Sequence, residues 1–237
     1  MGLAPMPAAP LNTPQPRIHA LIPCAGNGSR AGTATPKQYQ PIAGQPLVMH
    51  TLAAFAQVAR LATTLVVVSP RDLSFPPGAA ASIARCGGAT RAASVQSGLA
   101  ILREQGAADS DWVLVHDAAR CLVTAALIDR LIDACLPDPV GGLLAQPLAD
   151  TLKSGEGGRV AATLPRAGKW LAQTPQMFRL GVLLQALAQA GDNATDEASA
   201  IEALGLQPLL VPGSAQNFKV TYPDDFALAE AVLRSRR

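Results

Sequence analysis

The chain has no aspartate or glutamate before Asp72. A stretch of 71 residues with five arginines and lysines and no carboxylate offers a bound anion no repulsion. Charge is scarce elsewhere too: charged residues are 15% of the 237 and nearly cancel, at +2. That balance excludes a nonspecific nucleic-acid binder, so any anion site must be local. Aromatic residues are 4% of the chain, too few for the stacking platforms that hold single strands. Cys24, Cys86, Cys121 and Cys135 form no C-x-x-C pair and have no zinc-like spacing to His19, His50 or His116. They read as reduced thiols, most of them buried, in a cytoplasmic protein. No apolar run approaches the roughly 18 residues of a membrane span. Residues 1–16 are rich in Pro and Ala, without a basic start or an apolar h-region, and read as a flexible tail rather than a signal peptide. Residues 17–237 then suffice for a single domain with a sizeable core.

The densest local signal is IHALIPCAGNGSRAGTATPKQ, residues 18–38. The apolar run Ile18 to Ile22 is short enough for a buried strand. It reaches Pro23 and then a loop holding Gly26, Gly28 and Gly32, whose charges are Arg30 and Lys37. Glycines let a backbone approach a ligand closely, and successive N–H groups can cradle phosphate oxygens. Two cations beside them point to a polyphosphate site. A P-loop is excluded, because no Gly-Lys pair follows at the required spacing. The dinucleotide fingerprint is met at Gly26, Gly28 and Ala31, but Pro36, Pro41 and Pro46 leave little room for the helix it requires. The ribose-binding acid it also requires has no counterpart in a segment without carboxylates.

Further along, Leu47, Val48, Leu52, Phe55 and Ala59 recur at helical spacing. TLVVVS, from Thr64, is a β-branched strand ending at Pro70. Residues 72–86 look irregular, around a short helix. Val95, Leu99 and Leu102 mark a helix, Asp111 to His116 a strand, Leu127 to Cys135 a helix and Val140 to Ala145 a strand. This alternation predicts an α/β fold of three layers: a mainly parallel twisted sheet with helices on both faces. At residues 148–168 it stops. SGEGGR is a turn cluster between two extended runs, which predicts a projecting β-arm. An isolated hairpin is marginal in water, so the arm should pack on a second copy of the chain. Pro175 to Phe178 should lead into a helix over Leu180 to Ala190. A helix opening at Thr195, Asp196 and Glu197, a strand at Leu209 to Val211 and a helix from Asp224 complete the chain.

In open parallel sheets ligands bind beyond the carboxyl ends of the strands. Here those ends are the glycine loop, the segment His116 to Arg120 and the region of Asp150 and Thr151, which should converge on one crevice. Asp117 is the carboxylate expected at its centre. It is a metal, hydroxyl or ribose partner if a nucleotide binds, since Mg²⁺ takes one or two carboxylates with phosphate oxygens and waters; alternatively it caps a turn. His116 reads as packing or turn support, because no nucleophile pattern accompanies it. Asp109 and Asp111 form a D-x-D that precedes a strand instead of following one, and read as a solvated loop. Arg91, Ser94, Lys153, Arg166 and Lys219 are further polar candidates.

PCAGNGSRAGTATPKQY, GGATRAASV, VHDAAR, DTLK, QTPQMF, TDEASA and NFKVTYPDD follow in this order. Together they resemble the 2-C-methyl-D-erythritol 4-phosphate cytidylyltransferase family of the non-mevalonate isoprenoid pathway, over roughly residues 17–235. The resemblance implies transfer of CMP from CTP to the polyol phosphate with release of pyrophosphate. It also implies Mg²⁺ or another divalent cation, and a homodimer whose arm completes the neighbouring site; neither nucleic acid nor membrane is a partner. By similarity, Arg30 and Lys37 are catalytic. Arg166, Lys219 and Thr151 hold the methylerythritol phosphate, Arg166 from the neighbouring copy. Pro23, Ala25, Gly26, Gly28, Gly88, Arg91, Ser94, Asp117 and Ala118 frame the nucleotide. Cys24 and Cys121 depart from the usual pattern without removing a functional group, and Gln216 stands where some relatives have aspartate. Some relatives carry a fused cyclodiphosphate synthase domain, which this sequence is too short to include. Two other readings remain at this point: a cytidylyltransferase for another polyol phosphate such as ribitol 5-phosphate, and a nucleotide-binding regulator without catalysis.

Overall fold

Ile18–Pro23 (β1) is hydrogen-bonded in parallel to Thr63–Val67 (β4) on one side and Trp112–Val115 (β6) on the other, and this trio is the middle of the molecule. The computed structural model describes residues 15–26, 36–191 and 194–236. Between β1 and β4 lie a 3-10 turn at Lys37–Tyr39, a two-residue hairpin of Pro41–Ile42 (β2) and Gln45–Pro46 (β3), and the helix Leu47–Ala56 (α1). Ser82–Ala84 (β5) and the helix Arg91–Glu104 (α2) lead to β6. Then follow Ala125–Cys135 (α3), Gly141–Pro147 (β7), the arm strands Leu152–Glu156 (β8) and Arg159–Leu164 (β9), and Trp170–Arg179 (β10). Leu180–Ala190 (α4), Glu197–Ala203 (α5), Leu209–Pro212 (β11) and Pro223–Ser235 (α6) complete the order.

The main sheet has seven strands in the order β11-β7-β10-β6-β1-β4-β5, and β10 alone among them runs antiparallel to its neighbours. Side chains along a strand alternate between faces. Accordingly Ala20 and Ile22 of β1 join the core under α1 and α3, while Leu21 joins the core under α2, α4 and α5. That alternation makes three layers from one buried strand, as the helix-strand succession predicts. Gly98 lets α2 seat directly on the sheet: a Cβ there would stand 2.4 Å from Leu21 Cδ1. A third cluster, built on Ile42, Leu47, Leu122 and Val220, fastens α6 and the β2-β3 hairpin beside the sheet.

Pro175 to Phe178 lead into α4, Leu180–Ala190, as expected, and they do so as the second half of β10, with Met177 and Phe178 buried in the sheet. The pattern of this strand is hidden by a register shift between Ala172 and Gln176, which breaks the period of two that a strand otherwise shows. One expectation needs correction: residues 72–86 hold no helix; they hold the edge strand β5, whose three half-exposed residues are too few to show any period.

The arm is a separate two-stranded sheet of β8 and β9. Gly157 and Gly158 both adopt positive φ (57° and 76°) at its tip, as a tight hairpin turn requires. Every residue of β9 is exposed, Val160 at 65% and Leu164 at 41%. No helix among the described residues is long and apolar enough to cross a membrane.

Candidate active site

The carboxyl ends of β1, β4 and β6 open on one crevice of about 500 Å³. β1 delivers Pro23, Cys24, Ala25 and Gly26 to it, and β6 delivers Asp117, Ala118 and Ala119. Gly88, Thr90, Arg91 and Ser94 enter from the start of α2, where the Thr90 side chain caps the helix by accepting from Ala93 N at 3.1 Å. A helix start turns its unsatisfied N–H groups and positive dipole end toward a ligand. Gly88 donates its N–H to Ser94 Oγ at 3.1 Å; a Cβ at Gly88 would lie 2.5 Å from that of Ala93. Lys37 and Lys219 complete the wall.

Asp117 organises the charge. Its Oδ1 accepts from Arg91 Nε at 2.7 Å, and Lys219 Nζ stands 2.7 Å from Oδ2. Arg91 continues outward, its two terminal nitrogens donating to Glu197 Oε1 and Oε2 at 2.7 and 2.9 Å. Burial works to raise the Asp117 pKa, but the Arg91 and then the Lys219 charges outweigh it and hold the carboxyl well below its usual range. Burial likewise opposes the charge on Arg91, and Glu197 and Asp117 override it to raise that pKa. Lys37 Nζ donates to the Val220 carbonyl at 2.7 Å, so Lys37 and Lys219 are anchored within one short segment.

Neighbouring groups serve the backbone. His116 is fully buried, packs on the Phe55 ring and bonds Thr174 Oγ1 at 3.1 Å and the Arg120 carbonyl at 3.2 Å. Burial pushes its pKa down to about 3, so it stays neutral and structural. Thr174 Oγ1 accepts from Asp117 N at 3.0 Å, which makes the irregular stretch of β10 a brace for the crevice floor. Arg120 spans the Asn217 and Ala172 carbonyls at 2.7 and 3.1 Å. Gln38 Nε2 donates to the carbonyls of Cys24 and Gly26 at 3.0 and 2.9 Å and pins the mouth of the glycine loop.

The crevice therefore brings together Pro23, Ala25, Gly26, Lys37, Gly88, Arg91, Ser94, Asp117, Ala118 and Lys219 of the expected set. Gly28 and Arg30 lie outside the described residues. Thr151 and Arg166 do not reach this chain's crevice. Both are exposed at the root of the arm, where the Arg166 guanidinium donates to the Ala149 carbonyl. Glu197 opens α5 as its place in the sequence predicts, but it is fully buried, which a first-turn acid does not signal. Asp111 is also corrected: it is buried against Arg17 and His19, 3.1 and 3.2 Å away, and is not a solvated loop residue. Gln216 is exposed and accepts from Arg236 at 2.9 Å.

Among the described residues no three His, Cys, Asp or Glu side chains gather to hold a metal ion. Asp117 is the one carboxylate among the described residues lining the crevice, and both its oxygens already face cations. In this arrangement it is a counter-ion, and the donor set does not fit a resident metal.

The profile of the 2-C-methyl-D-erythritol 4-phosphate cytidylyltransferase (IspD) family matches residues 18–235. A 2-C-methyl-D-erythritol 4-phosphate cytidylyltransferase of Burkholderia multivorans is 55% identical over 227 residues, covering 92% of this chain and 96% of that protein. A bifunctional enzyme IspD/IspF of Albidiferax ferrireducens is 66% identical over 231 residues; the match covers 96% of this chain but 55% of that longer protein. Among solved structures, a 4-diphosphocytidyl-2C-methyl-D-erythritol synthase superposes with a TM-score of 0.82 at 41% identity, covering 92% of this chain and 99% of that one. With the family profile spanning the strands, helices and crevice just described, the chain belongs to the 2-C-methyl-D-erythritol 4-phosphate cytidylyltransferase family.

Proposed function

We propose that the crevice transfers CMP from CTP to the phosphate of 2-C-methyl-D-erythritol 4-phosphate, giving 4-diphosphocytidyl-2-C-methyl-D-erythritol and pyrophosphate. One observation carries the reading. Lys37, Arg91 and Lys219 line one crevice beside the glycine loop, with Asp117 paired to Arg91 and Lys219, and no nucleophile–histidine pair lines the crevice among the described residues. Such a site suits a reaction whose nucleophile is already anionic. A phosphate oxygen of the acceptor attacks the α-phosphorus of CTP, the bond to the β,γ-pyrophosphate breaks, and no proton need be removed.

The protein then has two tasks: to hold the two phosphates in line and to offset the charge that gathers at the α-phosphorus. By family similarity Lys37, with Arg30, does the second. The start of α2 with Gly88, Arg91 and Ser94, and the strand ends with Pro23, Ala25, Gly26, Asp117 and Ala118, receive the nucleotide; Gly28 belongs to the same loop. Lys219 turns to the acceptor phosphate. A divalent cation, Mg²⁺ in this reading, enters with the triphosphate as part of the substrate, since Asp117 is committed to its two cations. Thr151 and Arg166, remote from the crevice of their own chain, serve the crevice of a second copy in a homodimer. The exposed apolar residues of the arm, Val160 and Leu164, support this, because the described residues of their own chain leave them open to solvent.

The test is pyrophosphate release from CTP with Mg²⁺, run in parallel with 2-C-methyl-D-erythritol 4-phosphate and ribitol 5-phosphate. Release with the first acceptor alone is expected; release with ribitol phosphate alone would overturn the acceptor, and release with neither would overturn the transfer.

A further inference from the structure

We propose that Glu197 is a positioning residue of the nucleotide site: its carboxylate sets where the Arg91 guanidinium stands and, through Arg91, holds Asp117 and Lys219 in place. The proposal rests on the reading of the crevice given above. Glu197 is the first residue of α5. An acid there would ordinarily be solvated and favoured by the helix dipole. Here its exposure is 0%, and both oxygens are taken by one guanidinium in a fork-to-fork pair at 2.7 and 2.9 Å. A bidentate pair fixes the plane of the guanidinium as well as its position. With that plane set, Arg91 Nε points at Asp117 Oδ1, 2.7 Å away, and Asp117 Oδ2 is left for Lys219 at 2.7 Å.

The four groups alternate in sign, and two carboxylates balance two cations. The cluster is therefore buried with no net charge, which a desolvated set needs in order to persist. Its two ends differ. The Lys219 end is 36% exposed and opens on the crevice. The Glu197 end is enclosed, and α5 is tied to β10 beneath it. There Gln176 Oε1 accepts from Ala198 N at 2.7 Å, and Gln176 Nε2 donates to Asp196 Oδ2 at 2.9 Å. A phosphate that draws Lys219 off Asp117 leaves Asp117 still held by Arg91, because the far end does not move. Glu197 does not line the crevice and touches no reacting atom. It acts only through Arg91.

The experiment is steady-state pyrophosphate release with CTP, 2-C-methyl-D-erythritol 4-phosphate and Mg²⁺, comparing wild type, E197Q, E197D, R91K and the R91K/E197Q double variant. Misplacing a group that binds ground and transition states alike raises KM and spares kcat. E197Q is expected to raise the KM for CTP about tenfold with kcat within a few-fold, and the double variant to be no worse than R91K alone. E197D keeps the charge on a shorter stem and is expected to fall between wild type and E197Q. Should E197Q fail to fold, E197D decides: a raised KM for CTP supports the proposal and a wild-type KM overturns it. An E197Q enzyme with wild-type KM for CTP, or single effects that simply multiply in the double variant, overturns the role of Glu197 while leaving the function intact. A wild-type protein that releases no pyrophosphate overturns the function, and the role with it.

Discussion

The crevice and the arm are built from opposite materials. The crevice is charged yet enclosed: Asp117 is 8% exposed, Glu197 is sealed, and Arg91, Asp117, Glu197 and Lys219 each meet an opposite charge within the chain. The arm is partly apolar yet open, a separate two-stranded sheet with Val160 and Leu164 facing solvent. Charges can be buried where a rigid parallel sheet brings several strand ends together, so that counter-ions come from different parts of the chain. Apolar side chains on a hairpin have no such supply, and Val160 and Leu164 stay exposed. In our reading the acceptor end of the site draws on a second copy.

Breaking the crevice should have the largest effect. Asp117→Ala leaves Arg91 and Lys219 facing each other without their shared carboxylate, and the expected loss is about 3–5 kcal/mol in urea unfolding. A loss under about 1 kcal/mol would mean that the pair is not what holds the crevice. Lys37→Ala should leave the unfolding curve nearly in place and cost on the order of 3 kcal/mol of transition-state stabilisation, about a hundredfold in turnover. A fully active variant would remove Lys37 from the chemistry. On the arm, Val160→Ser should not change unfolding of the single chain but should weaken self-association by about 1–2 kcal/mol, read by sedimentation across a dilution series. Sedimentation of the wild type as a monomer that is fully active at assay concentration would sink the dimer.

A pH series sharpens the contrast. The native pKa of His116, about 3, lies below the ordinary 6.5, because burial disfavours its charged form. The unfolded chain therefore takes up a proton that the native chain refuses. Stability is fully present above pH 6.5 and declines as pH falls toward 3, by up to about 1.4 kcal/mol per unit. Asp117, whose pKa is lowered, acts in the same sense further down: its contribution is whole above 3.8 and is lost as pH falls through the native value. Urea unfolding of His116→Gln between pH 6.5 and 4 should show the shallower slope; an unchanged slope would clear His116 of the effect. The smallest effect is chemical. Burial pushes the thiols of Cys24, Cys121 and Cys135 up to about 12. Cys86 is only partly buried, so a thiol reagent at pH 8 should label it first in the native protein and the other three after denaturation.

Much of this was legible in the residues. Strands and helices with an uninterrupted apolar period, such as Ile18–Pro23, Leu47–Ala56 and Ala125–Cys135, follow from local pattern alone. The glycine loop and Lys37 pointed to the strand ends where the structure places the crevice. Elements whose period is broken or too short were not legible: β10 with its register shift, and β5 with three residues.

The sequence by itself determined the alternation of strand and helix, the hairpin arm with its Gly157-Gly158 tip, the glycine loop with its cations, and the family. Each of these depends on residues near one another in the chain. Only the tertiary structure decided that Glu197, a first-turn acid by pattern, is sealed beneath Arg91, and that Asp117 is a counter-ion shared by Arg91 and Lys219. It also decided that Thr151 and Arg166 stand away from the crevice of their own chain. Burial and ion pairing link residues as far apart as Arg91 and Glu197, and such pairings exist only once the sheet has brought its strand ends together.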